Sequence, residues 1–146
     1  MPQPEYPLEA LRKLRDERAE ATASSLAAQV ARGQAAEGRA RERERVRREH
    51  AEQAAESLRQ ERARLAAGQA SGADWQRVSE FEGAVRAQAA LLERAEAEAR
   101  QALAQERAEE QKLRQKLSEL EAEAEVVRQH EAGFRQRHAE AAQKAE

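Results

Sequence analysis

The chain has no cysteine and no isoleucine, only one Trp, one Tyr and two Phe, and its three prolines all fall within the first seven of 146 residues. The missing thiols exclude a disulfide scaffold and a thiolate metal site. The shortage of large apolar residues excludes a compact globule of this length, because 35 residues are Ala and only 23 are larger apolar side chains. Charge of one sign is lacking too: 26 Lys and Arg stand against 28 Asp and Glu, a net charge of -2. That balance is not the basic excess of a dedicated nucleic-acid binder. No stretch approaches the roughly 20 apolar residues of a membrane span. The opening Met1-Pro2-Gln3-Pro4-Glu5-Tyr6-Pro7 carries neither the basic nor the apolar run of a secretory signal. The expected location is the cytoplasm.

What the sequence does have is Ala, Glu, Arg, Gln and Leu in excess, the composition of long helices or a coiled coil. Low hydrophobicity and 37% charged residues also suit a disordered chain, but the near-neutral balance weighs against that. After Pro7 nothing forbids helix. Pro7 suits a first helical position, with Glu9 favourable for the helix dipole. The best break is Gly68-Gln69-Ala70-Ser71-Gly72, where Gly68 is expected to close a helix in the left-handed conformation and Ser71 with Asp74 matches a capping box opening another. The expected fold is therefore all-α, a long two-helix antiparallel coiled-coil hairpin. Its parts are a short extended N-terminus at 1–6, a first helix over 7–67, a turn at 68–72 and a second helix over 73–146. At 1.5 Å per residue the helices would extend about 90 and 110 Å.

Periodicity supports this. Val78, Val85, Leu92, Ala99, Glu106, Leu113, Leu120, Val127, Phe134 and Ala141 recur every seven residues and only Glu106 is polar, whereas the companion series Glu82, Ala89, Glu96, Leu103, Glu110, Leu117, Ala124, Glu131 and His138, preceded by Trp75, is about half apolar. The first helix offers Leu26, Val30, Gly33, Glu37, Ala40, Glu44, Arg47, Ala51, Ala54, Leu58, Glu61 and Leu65, with Leu8, Leu11 and Leu14 out of phase, implying a stutter near 15–25. With the turn centred on residue 70, residue i faces residue 140 minus i. Leu58 and Leu65 then meet Trp75, Val78 and Phe81, while Leu8, Leu11 and Leu14 meet Val126, Val127 and Phe134. The stretch between, 33–54 facing 86–107, is expected to pair weakly. Arg12, Lys13, Arg15 and Arg18 come opposite Glu119, Glu121, Glu123 and Glu125, a clue to register more than a source of stability.

No catalytic constellation emerges, and no metal or cofactor is expected. His130-Glu131 lacks the second His of a zincin helix because Phe134 stands in its place, His138 is too far along, and His50 is alone. The Gly68–Gly72 segment lacks the Gly-Lys-Ser/Thr ending of a phosphate loop. The run Arg39, Arg41, Arg43, Arg45, Arg47 and Arg48 is spaced by twos, which spreads its charge around the helix, so a solvated surface is the first reading and a protein contact the second. The few aromatics cluster at two places, Trp75 with Phe81 and Tyr6 with Phe134, as core or as partner contact.

The opening Tyr6-Pro7-Leu8-Glu9-Ala10-Leu11-Arg12-Lys13-Leu14-Arg15-Asp16-Glu17-Arg18-Ala19-Glu20, the mid-chain break, and Trp75-Gln76-Arg77-Val78-Ser79-Glu80-Phe81 leading into a long helix resemble the FliJ/YscO (SctO) group. These are central stalk proteins of flagellar and injectisome type III secretion. The resemblance covers nearly the whole chain, with loose motifs. It implies a monomeric hairpin, similar to the long helices of the F1-ATPase gamma subunit, standing in the pore of a hexameric secretion ATPase and reaching an export gate protein, with export chaperones as further partners. Such a protein works at the cytoplasmic base of a membrane-embedded apparatus, inserts in no membrane and binds no nucleic acid. By analogy with gamma, the end built from both termini enters the ring, which nominates Leu8, Leu11, Arg12, Arg15, Arg18, Phe134, Arg135 and Arg137. The turn half, with Arg41, Arg45, Arg48, Trp75 and Phe81, would face the gate or a chaperone. Flagellar members often carry aromatics along the first helix. None follows Tyr6 there, which favours an injectisome member. A generic coiled-coil adaptor or tether remains the alternative, and a membrane-remodelling dimer is disfavoured because it needs a one-sided basic face.

Overall fold

The structure, a computed structural model, describes residues 4–145. The fold is all-α: helix α1 covers Glu9–Ala67 and helix α2 covers Gly72–Ala145, packed antiparallel as a hairpin. Residues 4–6 have no regular structure and 7–8 form a turn, so α1 starts two residues after the expected Pro7. The reason is local. The Glu9 N–H donates to the Tyr6 carbonyl at 3.1 Å and the Arg12 N–H to the Leu8 carbonyl at 2.9 Å, which makes Leu8 the residue that hands the chain into the helix. Residues 1–3 and 146, part of the expected extended N-terminus and second helix, lie outside the described residues.

At the other end of α1 the expectation for Gly68 fails: no described glycine has a positive φ. The chain leaves α1 through a bend at Gly68 without a left-handed residue, and order at the turn comes from the start of α2. There the Ser71 N–H donates to Asp74 Oδ2 at 3.0 Å, the Ser71 hydroxyl to the same oxygen at 2.9 Å, and the Asp74 N–H to Ser71 Oγ at 3.3 Å. This is a reciprocal capping box with Asp in the place usually held by Glu or Gln. The Ser71 backbone N–H, then its hydroxyl, then the Arg77 guanidinium hold the Asp74 carboxyl below the usual carboxylate range.

The chain divides into two compact units, one formed by residues through Arg32 together with those from Arg107, the other by Gly33–Glu106. In both, the α2 residues turned inward follow the seven-residue series from Val78 to Phe134 and its companion from Glu82 to Glu131, each buried or half-buried. His138 and Ala141, which continue those series, are exposed. On α1 one series is unbroken, Arg12, Ala19, Leu26, Gly33, Ala40, Arg47, Ala54 and Glu61, with no stutter at 15–25. Its companion lies three residues on in the first unit's stretch and its continuation (Arg15, Thr22, Gln29, Ala36) and four residues on farther along (Glu44, Leu58, Leu65). An α-helix of 3.6 residues per turn drifts by about 20° per heptad against a seven-residue repeat, and this change of companion is that drift. It leaves Ala51 exposed.

In the first unit the core is Tyr6, Ala124 and Val127, with Thr22 and Gln29 the buried polar residues. Leu11 and Phe134 are half-buried, whereas Leu8, Leu14 and Val126, expected to meet on the seam, are exposed, at 40%, 42% and 62%. Leu14 and Val126 each sit one residue before an inward position, about 100° round the helix. Ion pairs fix the register here: Arg12 lies 3.4 Å from Glu131 and Arg128 3.1 Å from Asp16, while Arg15 donates to the Glu123 backbone carbonyl at 3.0 Å. The glutamates at 119, 121, 123 and 125 are thus not the carboxylate partners of Arg12, Lys13, Arg15 and Arg18.

In the second unit Leu65 and Val78 are buried near the turn, whereas Trp75 is 56% and Phe81 39% exposed. The α2 seam thus begins at Val78 and not at Trp75. Ala36 and Ala40 are buried farther along. Between them and the turn lies a buried carboxylate: Glu96, 5% exposed, pairs with Arg47 across the hairpin and with Arg100 one turn on at 2.6 Å. The stretch expected to pair weakly is closed by small Ala contacts and this ion cluster.

Candidate partner-binding surfaces

At the end formed by both termini, Tyr6 is the anchor. Its ring is 3% exposed and packs edge-on against Phe134 at 5.5 Å, and its hydroxyl is hydrogen-bonded to His130 Nδ1 at 2.5 Å. Phe134 in turn stacks at a tilt with His138 at 4.6 Å. The segment before α1 is thereby fastened to α2. The basic residues nominated for this end are mostly engaged within the chain. Arg12 reaches Glu9 at 2.5 Å, Asp16 at 3.7 Å and Glu131. Its hydrogen bond lowers the Glu9 pKa and raises that of Arg12. Arg135 pairs with Glu131 at 2.9 Å, and Arg15 holds the Glu123 carbonyl. Arg18 and Arg137 make no ion pair among the described residues; Arg18 borders a shallow hollow with Thr22 and Leu120, and Arg137 another with Phe134. Leu8 is exposed and Leu11 and Phe134 half-buried at this end, and of the nominated basic residues Arg15, Arg18 and Arg137 make no ion pair among the described residues, Arg15 being held by a backbone carbonyl.

In the second unit, Arg41 pairs with Glu37 at 2.9 Å, Arg45 with Glu42 and Glu49 at 2.5 Å each, and Arg48 with Glu44 at 2.6 Å. The Arg45 hydrogen bond holds the Glu42 carboxyl below its usual range. Four arginines of the run, Arg41, Arg45, Arg47 and Arg48, are thus ion-paired, while Arg39 and Arg43 make no ion pair among the described residues. Nearer the turn, Leu65, Val78 and Phe81 floor an open groove of about 660 Å³ whose rim is Glu61, Arg64, Asp74 and Arg77. Trp75 is not part of it. The rim charges pair among themselves, Arg64 with Glu61 at 3.3 Å and Arg77 with Asp74.

Among the described residues no group of three or more metal-ligating side chains converges, and no helix is long and apolar enough to cross a membrane. Two features escaped the sequence reading. The register of 140 minus i sets Tyr6 against Phe134, and His130 lies one helical turn before it; Glu96 was visible as a charged residue on a half-apolar series, three residues from the position the register sets opposite Arg47. Compared with protein-family models, curated proteins and solved structures, the chain matches none.

Proposed function

We propose that this chain is a central stalk of a type III secretion export apparatus, of the injectisome kind, which binds the pore of a hexameric secretion ATPase and links it to an export gate protein, with export chaperones as further partners. The proposal rests on the layout of the Tyr6–Glu20 and Trp75–Phe81 segments, and the observation that carries it furthest is the antiparallel two-helix hairpin into which they fold. Such a stalk needs no active site. A nonequivalent shaft in a sixfold ring biases which nucleotide interface closes, so its work is done by differential contact. Leu8, Leu11, Phe134, Arg18 and Arg137 are the side chains at the terminal end that are free to make that contact; Arg12, Arg15 and Arg135 would first have to exchange their present partners.

That prior engagement favours the second reading, a coiled-coil adaptor or tether without an ATPase partner. Co-purification with the secretion ATPase of the same genome, followed by ATP turnover with and without the chain, separates the two. The stalk binds and raises turnover. Reversing the charges of Arg12, Arg15 and Arg18 weakens binding and its salt dependence, with circular dichroism establishing first that the fold survives. A folded triple variant that stimulates as well as the parent overturns the terminal-end assignment, and a parent that binds no ATPase leaves the adaptor.

A further inference from the structure

α2 carries a second stripe, exposed from Ala84 to Leu91, partly covered at Phe81 and half-buried at Ala95. Phe81, Ala84, Gln88, Leu91 and Ala95 recur at spacings of three and four and fall within about 80° of the helix circumference, roughly 100° round from the seam that packs on α1. The stripe holds Leu91, 58% exposed, and Phe81, two of the large apolar side chains that the second unit leaves in water. A helix apolar on two faces has two neighbours to satisfy, and α1 is only one of them.

The order of the residues indicates what the other neighbour is. The stripe is close to symmetric about residues 86–88, with a large side chain on either side of small ones and Gln88 at the middle. A second α2 laid across it in the antiparallel sense, related by a two-fold axis at that point, sets each Phe81 against the Leu91–Ala95 stretch of the second copy and sets Ala84 beside its Gln88 and Leu91. The flanking charges match under the same axis: Glu80 comes beside Arg94 of the second copy, and Arg94 beside its Glu80. Arg94 has no ion pair among the described residues, and Glu80 receives only a 3.4 Å hydrogen bond from the Gln76 amide. Self-complementarity of this kind, where residue i meets j and j meets i, is the requirement for a closed two-fold contact.

We infer that the Phe81–Ala95 face of α2 is a homodimer interface, in which two intact hairpins pair through antiparallel α2 helices. The inference departs from the monomer expected from the sequence, and because its test uses no ATPase, its failure and that of the secretion-stalk reading are distinguishable. In sedimentation equilibrium over about 5 to 300 µM, a range that brackets micromolar affinity, the full chain shows a monomer–dimer equilibrium. Leu91→Glu raises the dimer Kd at least tenfold with the helical signal unchanged, since Leu91 supports nothing inside the hairpin. Glu80→Arg and Arg94→Glu each weaken the dimer by placing like charges together, and the double variant recovers most of the loss, a rescue that only a direct pair produces. Because the chain has no cysteine, Gln88→Cys gives a single thiol near the axis, which a short bis-maleimide links into a covalent dimer. A chain monomeric throughout the range, a dimer indifferent to Leu91→Glu, or a double charge reversal no better than the singles overturns the assignment. An exchanged dimer, in which unhinged helices pair between chains, also overturns it and is recognised by its loss of Gln88→Cys linkage.

Discussion

Arg47 and Glu96 make one ion pair, yet removing them one at a time is expected to change stability in opposite directions. The Glu96 side chain is 6% exposed, whereas that of Arg47 is 31% exposed. Breaking a buried pair by deleting one partner costs about 3–5 kcal/mol when the other is left stranded. Arg47→Ala strands Glu96 only in part, because Arg100 keeps its 2.6 Å contact with the other carboxylate oxygen, so about 1–2 kcal/mol is expected. Glu96→Leu instead places an apolar residue of similar length on the seam. Burying it contributes about 2 kcal/mol at 25 cal/mol per Å², against the loss of a partly screened pair of about 1 kcal/mol and a guanidinium that can swing to water on its own stem. The net change is about 0 to 1 kcal/mol of added stability. Urea unfolding followed at 222 nm, with midpoints compared at constant slope, reads both variants. Two losses of equal size, or an Arg47→Ala midpoint equal to that of the parent, would refute the reasoning, since either would mean that Glu96 is solvated.

Neighbouring valines test the inward face of the first unit: Val127→Ala, at a site 4% exposed, is expected to cost about 1.5–2.5 kcal/mol and Val126→Ala, at 62%, less than about 0.5 kcal/mol, in the same denaturation assay. Tyr6→Ala removes a ring that is 3% exposed and is expected to cost about 3 kcal/mol, with hydrogen exchange rising first at residues 9–12, while Tyr6→Phe keeps the ring and loses about 1 kcal/mol with its hydroxyl. Ser71→Ala, which removes one side of the capping box, is expected to cost about 1 kcal/mol. The depressed Asp74 pKa means that its share of stability is complete above the unfolded value near 3.9 and disappears as pH falls through the lower folded value. Acid titrations of the parent and Asp74→Asn should therefore differ at neutral pH and converge at the acid end; parallel curves would show that the cap carboxylate does not titrate with folding.

The architecture was readable because three independent signals agree: prolines confined to the first seven residues, one paired-glycine break, and a seven-residue series on the second helix that runs inward from Val78 to Phe134. Register was readable because turn length alone sets it, and Arg47 with Glu96, Arg62 with Glu82 and Tyr6 with Phe134 lie near the expected pairing. What could not be read was the side of each helix to which single residues belong where the seam is thin. Leu14 and Val126 are apolar without being inward, because one residue of offset is 100° of rotation, and Leu8 is exposed just before α1 begins. Nor do the nominated arginines declare themselves: in a chain with an acidic residue three or four positions from almost every basic one, most guanidiniums are spoken for within the helix, and Arg12 and Arg48 read alike in sequence whichever partner they take.

The contacts across the hairpin differ greatly in the length of chain they enclose. Arg62 with Glu82 closes 20 residues, Arg47 with Glu96 closes 49, and Tyr6 with His130 closes 124. The entropy of ring closure grows as (3/2)RT ln n, so the last of these is about 1.6 kcal/mol dearer than the first when formed from an open chain. Pairing is thus cheapest beside the capped start of α2, and each contact made there shortens the ring that the next must close. A zipper fed from the turn is the expected folding order: in stopped-flow kinetics, substitutions at Leu65 or Val78 are expected to slow folding, and those at Tyr6, whose latch engages last, to speed unfolding instead.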